Sequence, residues 1–138
     1  MFSKLLVAYD GSDNSKRALE VAADLAVKCG ARLQVAKVVD IASLMGLEVE
    51  GEVIDELRSK AEHEVHDAVE FARSRGADAY GSVLVGDPVE SIVVLAQEMD
   101  VDLIVTGSRG LSRLKRILLG SVSTGILTEA RCSVLVVK

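Results

Sequence analysis

The chain has 138 residues, 49% of them hydrophobic, with 16 Lys+Arg against 21 Asp+Glu, two Phe, two Tyr and no Trp. That length suits a single domain over residues 1–138 with an aliphatic core. No apolar stretch approaches the ~18 residues that would cross a bilayer, and the acidic balance argues against a nucleic-acid binder, which needs a broad basic face.

Met1 to Tyr9 is apolar but stops at Asp10, short of a secretory core and without a cleavage site. The expected compartment is therefore the cytoplasm, with no membrane partner. There Cys29 and Cys132 would pack as small hydrophobes rather than form a disulfide.

Strand and helix signals alternate from end to end. Lys4 to Tyr9 reads as a first strand ended by Asp10-Gly11-Ser12. Ser12 or Asp13 can cap a helix in which Ala18, Ala22, Leu25 and Cys29 recur at helical spacing, and Gly30 supplies its stop. Leu33 to Val39 is a second strand, followed by a segment without clear period, Ile41 to Gly51, read as a loop or short irregular helix. From about Glu52 to Arg75 a stripe of Ile54, Leu57, Ala61, Val65, Ala68 and Ala72 predicts a helix, ended by Gly76. His63 and His66 fall off that stripe and read as part of a solvated face; a zinc pair would need further ligands.

Ala79 to Val85 is the third strand. Asp87-Pro88-Val89-Glu90 then supplies a helix cap, a proline at the first helical position and a capping-box glutamate, predicting a helix to about Met99. Leu103 to Thr106, Ser121 to Glu129 and Ser133 to Val137 complete the series as strand, helix and strand. Five short aliphatic strands alternating with four helices imply an α/β fold: a doubly wound, open parallel sheet with helices on both faces. Ligands in such sheets bind beyond the carboxyl ends of the strands, where strand order reverses. Were strands one and four adjacent there, the loops at Asp10 and Gly107 would share one crevice.

The segment after strand four carries the chemistry. It reads Gly107-Ser108-Arg109-Gly110, then nine residues, then Gly120-Ser121. It holds Arg109, Arg113, Lys115 and Arg116 and no acid; without those four cations the chain has 12 basic residues against 21 acidic ones. A glycine at a strand end permits a sharp turn and close approach of a ligand. A Gly-Ser opening a helix offers amide N–H groups and a hydroxyl to an anion. Phosphate is the ligand class this suits. Structural readings stand beside it: Gly107 and Gly110 as turn formers, Ser121 as a plain helix cap, Asp10 closing a turn, and the cations as an exposed patch.

Two common phosphate motifs, G-x-x-x-x-G-K-[ST] and G-x-G-x-x-G after the first strand, are missing. What is present, G-x2-G-x9-G-[ST], resembles the ATP-binding subgroup of the universal stress protein family. The likeness extends to Val7-Ala8-Tyr9-Asp10-Gly11-Ser12 at the first strand end and to Ser133-Val134-Leu135-Val136-Val137 at the last strand. The resemblance implies a Rossmann-like sheet of order 3-2-1-4-5 and ATP as ligand, with Mg or Mn accompanying its phosphates. It puts Asp10 by the adenosine, the Val39 backbone on adenine and Gly107 against the ribose. Gly110, Gly120, Ser121 and Val122 would hold the phosphates through main-chain amides, with Arg109 adding charge.

Two functions follow. One is a stress-response regulatory module that changes state with ATP occupancy and meets a partner protein. The other is an ATP-hydrolysing or ATP pyrophosphatase-type enzyme, for which Asp10-Gly11-Ser12-Asp13-Asn14-Ser15 lacks the double glycine of the pyrophosphatase loop. Fast turnover is not expected, because no residue stands out as poised to position a water and Asp10 is the one nearby carboxylate candidate. A fifth strand at the sheet margin would leave an apolar edge, so a homodimer through Ser133 to Val137 is expected.

Overall fold

The computed structural model describes residues 2–40, 51–109 and 119–138. Gly110, Arg113, Lys115, Arg116 and the 41–50 segment lie outside them. The elements run β1 (Lys4–Ala8), α1 (Asp13–Cys29), β2 (Arg32–Asp40), α2 (Gly51–Ser74), β3 (Asp78–Gly86), α3 (Pro88–Glu98), β4 (Leu103–Gly107), α4 (Ser121–Glu129) and β5 (Ser133–Val137). The strands form one parallel sheet of order β3-β2-β1-β4-β5. The expected doubly wound architecture is the one observed.

Alternate residues of the central strands feed two cores. Leu5 and Val7 of β1, with Leu33, Val35, Leu103 and Val105, pack on α1 and α2 through Ala18, Ala22, Val65 and Ala72. Leu6, Ala36 and Ile104 face the other way, onto Ile92 and Ala96 of α3 and Ile126 of α4. Because both faces are covered, these strands need apolar residues at every position rather than at alternate ones. Burying a side chain such as Ile104, with no exposed surface, contributes about 1.5–3 kcal/mol.

Local signals set most of the boundaries. The Ser12 hydroxyl caps α1 by accepting from the Ser15 amide, and Gly30 ends the helix at φ 65°, a conformation a side chain would strain. Asp87 caps α3 by accepting from the Glu90 amide, with Pro88 at the first helical position. Three details depart from the sequence reading. The buried face of α1 is centred on Ala18, Leu19, Ala22, Ala23 and Ala26, with Leu25 and Cys29 only flanking it. Helix α2 already includes Gly51, and its first two turns are exposed apart from Ile54 and Leu57, which are only half-buried. Strands β2 and β3 run to Asp40 and Gly86, because their pairing continues in register that far.

Helix packing also sets spacing. A Cβ at Gly81 of β3 would overlap Val65 of α2, so α2 rides close on that strand. His63 and His66 are exposed on α2, and both cysteines are free and half-buried. No described helix is long and apolar enough to cross a membrane.

Candidate functional site

The point of strand reversal lies between β1 and β4, which pair side by side with Ala8 opposite Thr106. A cleft of about 530 Å³ opens beyond their carboxyl ends, within the usual size of a small-molecule site. Ala8, Ala36, Val38 and Ile92 give it an apolar base; Asp10, Ser12, Ser15, Lys37, Arg109 and Ser121 give it polar walls. The two loops expected to share a crevice do share it.

All four helices start at this end of the sheet, and the starts of α1, α3 and α4 are capped differently. In α1 and α3 a side chain, Ser12 or Asp87, occupies an end amide. The cap residue of α4 is Gly120, which has no side chain to do so. Its first intrahelical bond runs from Thr124 N to Gly120 O, so the amides of Ser121, Val122 and Ser123 precede the ladder and point out of it. The positive end of the helix dipole adds to them, favouring an anion by about 0.3–2 kcal/mol depending on burial.

The opposite wall is acidic. The Asp10 carboxylate accepts from the Ser12 amide at 2.9 Å, while the Asp10 amide donates to Ser15 Oγ at 3.3 Å. Lys37, on the cleft wall, is ion-paired through Nζ with Glu64 of α2. Burial pushes the Tyr9 phenol above its ordinary pKa, and the carboxylates of Glu64, Asp10 and Asp67 push it further. The cleft is thus polarised, with carboxylates beside β1 and β2 and amide donors with Arg109 beside β4 and α4.

Of the residues singled out in sequence, Asp10, Gly107, Arg109, Gly120, Ser121 and Val122 all line this cleft. Gly110 lies outside the described residues. Val39 is buried at 8% exposure and its neighbours Val38 and Asp40 line the cleft instead. The Gly120 amide donates to the Ser108 carbonyl, so the available donors begin one residue later and extend to Ser123. Gly107 has a packing reason of its own: a Cβ there would stand 2.8 Å from the Asn14 carbonyl carbon. Sequence reasoning missed Lys37, Ser15 and Ser123. Only the small polar types of the two serines, each placed just inside a helix, hinted at them.

Comparison with known proteins agrees with this architecture. The model of the universal stress protein family matches residues 1–138. The universal stress protein YxiE of Bacillus subtilis is 40% identical over 148 residues, covering all of both chains. A solved universal stress protein in complex with cAMP is 30% identical, with a TM-score of 0.77 over 99% of this chain and 96% of its own. One from Archaeoglobus fulgidus, in complex with dAMP, is 28% identical, with a TM-score of 0.75 over 99% of this chain and 98% of its own. With the fold, the full-length family match and these relatives in agreement, the chain belongs to the universal stress protein family.

Proposed function

We propose that this protein is an adenine-nucleotide-binding regulatory module that holds ATP in the cleft between β1 and β4. The observation that carries the reading is the uncapped start of α4 at Gly120, opening on a cleft with a separate, hydrogen-bonding wall at Asp10. Solved relatives hold cAMP and dAMP, which supports an adenine nucleotide as the ligand class.

In this reading the phosphates sit on the amides of Ser121, Val122 and Ser123 and on the Ser121 hydroxyl, with Arg109 and Gly110 joining them. Gly107 and Asp10 take the ribose side, and the β2 end around Val39 takes the base. Charge-assisted hydrogen bonds of about 1.5–3 kcal/mol each, less ordering costs, amount to micromolar binding near −8 kcal/mol. Among the described residues no cluster of three or more His, Cys, Asp or Glu is poised to hold a metal. Mg or Mn would therefore arrive on the phosphate oxygens, with the Ser121 hydroxyl as the nearby protein ligand.

Regulation through ATP occupancy also needs a readout surface. Strand β5 lies at the sheet margin with Val134, Leu135, Val136 and Val137 half-buried, and a homodimer through that edge is the natural cover. The experiment is to incubate purified protein with ATP and Mg or Mn and measure bound nucleotide and released phosphate. Saturable retention with little release is expected. An absence of heat or saturation in calorimetry would refute nucleotide binding, whereas tens of turnovers per second would make the protein an ATP-hydrolysing enzyme.

A further inference from the structure

The donors at the start of α4 are aimed by a residue that does not line the cleft. Ser108, 3% exposed, joins β4 to the phosphate-side segment, and its polar groups are all engaged. Its amide donates to the Val137 carbonyl at 2.8 Å, and its carbonyl accepts from the Gly120 amide and from Ser123 Oγ at 3.1 Å. Its hydroxyl accepts from Asn14 Nδ2 at 3.3 Å. Ser108 therefore ties β5 to the cap residue of α4 and to Ser123 inside it, and Asn14 holds Ser108.

Asn14 is itself held. Its Oδ1 accepts from the Arg17 guanidinium, and Arg17 Nε donates to the Lys138 carbonyl at 3.0 Å. A guanidinium only donates, so it selects the carboxamide orientation that turns Nδ2 toward Ser108. The absence of a side chain at Gly107 lets the Asn14 main chain press against the end of β4, which fixes Asn14 in translation as well as rotation.

We propose that Asn14 is a positioning residue for anion recognition, acting through Ser108 on the direction of the α4 amides. This rests on the reading that nucleotide phosphates bind those amides. Hydrogen bonds weaken steeply as the donor angle closes. With the start of α4 free to tilt, the cleft would thus keep its contacts to the ribose and base and lose those to phosphate.

The test compares ATP with adenosine, which shares the base and ribose but has no phosphate. Calorimetry on the full chain, with Mg present, gives the ratio of the two affinities, and urea unfolding reports the fold. Asn14→Ala is expected to lower ATP affinity about tenfold while leaving adenosine affinity unchanged. Arg17→Ala, an exposed change away from the cleft, should shift the ratio in the same direction by less, and Arg17→Lys should restore much of it. If Asn14→Ala does not fold, the Arg17 pair decides. An ATP-to-adenosine ratio equal to the wild-type value in these variants, or a parallel loss for both ligands, overturns the positioning role while nucleotide binding stands. A wild-type protein that binds neither ligand, or binds ATP no better than adenosine, removes the phosphate reading and the positioning role with it.

Discussion

Gly107 lies directly against the main chain of Asn14: a Cβ at position 107 would stand 2.8 Å from the Asn14 carbonyl carbon and 3.0 Å from its oxygen. Backbone atoms cannot swing aside as a flexible side-chain end can. Gly107→Ala should therefore push α1 from β4, destabilising the fold by about 1–3 kcal/mol as overpacking does. Urea midpoints measure the first effect. Calorimetry with ATP should show weakened binding as well, because both walls of the cleft move.

Ser121 opens α4 beside the three outward amides and is itself exposed. Ser121→Ala removes a hydroxyl without altering the backbone. If that hydroxyl meets phosphate or its metal, ATP affinity should fall by about ten- to a hundredfold, the range for one hydrogen bond to a charged group. The unfolding midpoint should hardly change. Unaltered affinity would make Ser121 a plain helix opener.

The clamp between α1 and α2 gives a pH signature. Arg75 donates to both carboxylate oxygens of Asp24, at 3.0 and 2.9 Å, with Glu20 3.7 Å from the same guanidinium. The hydrogen bond from Arg75 and its charge hold the Asp24 pKa below its ordinary 3.8. A depressed carboxylate stabilises the fold above the unfolded value and loses that contribution as pH falls through the folded one. The urea midpoint of wild type should therefore exceed that of Arg75→Gln at pH 6, with the gap closing below pH 3.8. The pair is exposed, so the gap should be modest and should narrow in high salt.

The β5 edge offers a test of self-association. Leu135 and Val137 pack on one core and Val134 on the other, while Val136 is half-buried and belongs to neither among the described residues. Val136→Lys thus places a charge on the margin with least damage inside. Sedimentation should show a dimer becoming a monomer at tens of micromolar protein, with unfolding little changed. A wild-type monomer under the same conditions would refute the dimer.

Much of this layout was legible in the residues. Asp87-Pro88-Val89-Glu90 marked the start of α3 because cap, proline and glutamate act within one turn, and that local geometry survives folding. The sheet class left the adjacency of β1 and β4 open and the family resemblance implied it; the register of Ala8 with Thr106 bears it out. What escaped depends on contacts between distant segments. Nothing near Lys37 of β2 indicates that Glu64, on helix α2, will hold its ammonium at the cleft wall. Likewise, the engagement of the Gly120 amide by Ser108 follows from where β4 and β5 end, which no local pattern encodes.

The cleft draws its walls from opposite arms of the polypeptide, Asp10 and Lys37 from one and Arg109 and Ser121 from the other. A molecule lodged there acts as a cross-brace between the two wings of the sheet. By mass action such a brace adds about 2.7 kcal/mol of stability once its concentration reaches a hundred times the dissociation constant. Occupancy would then set how long the protein survives against unfolding.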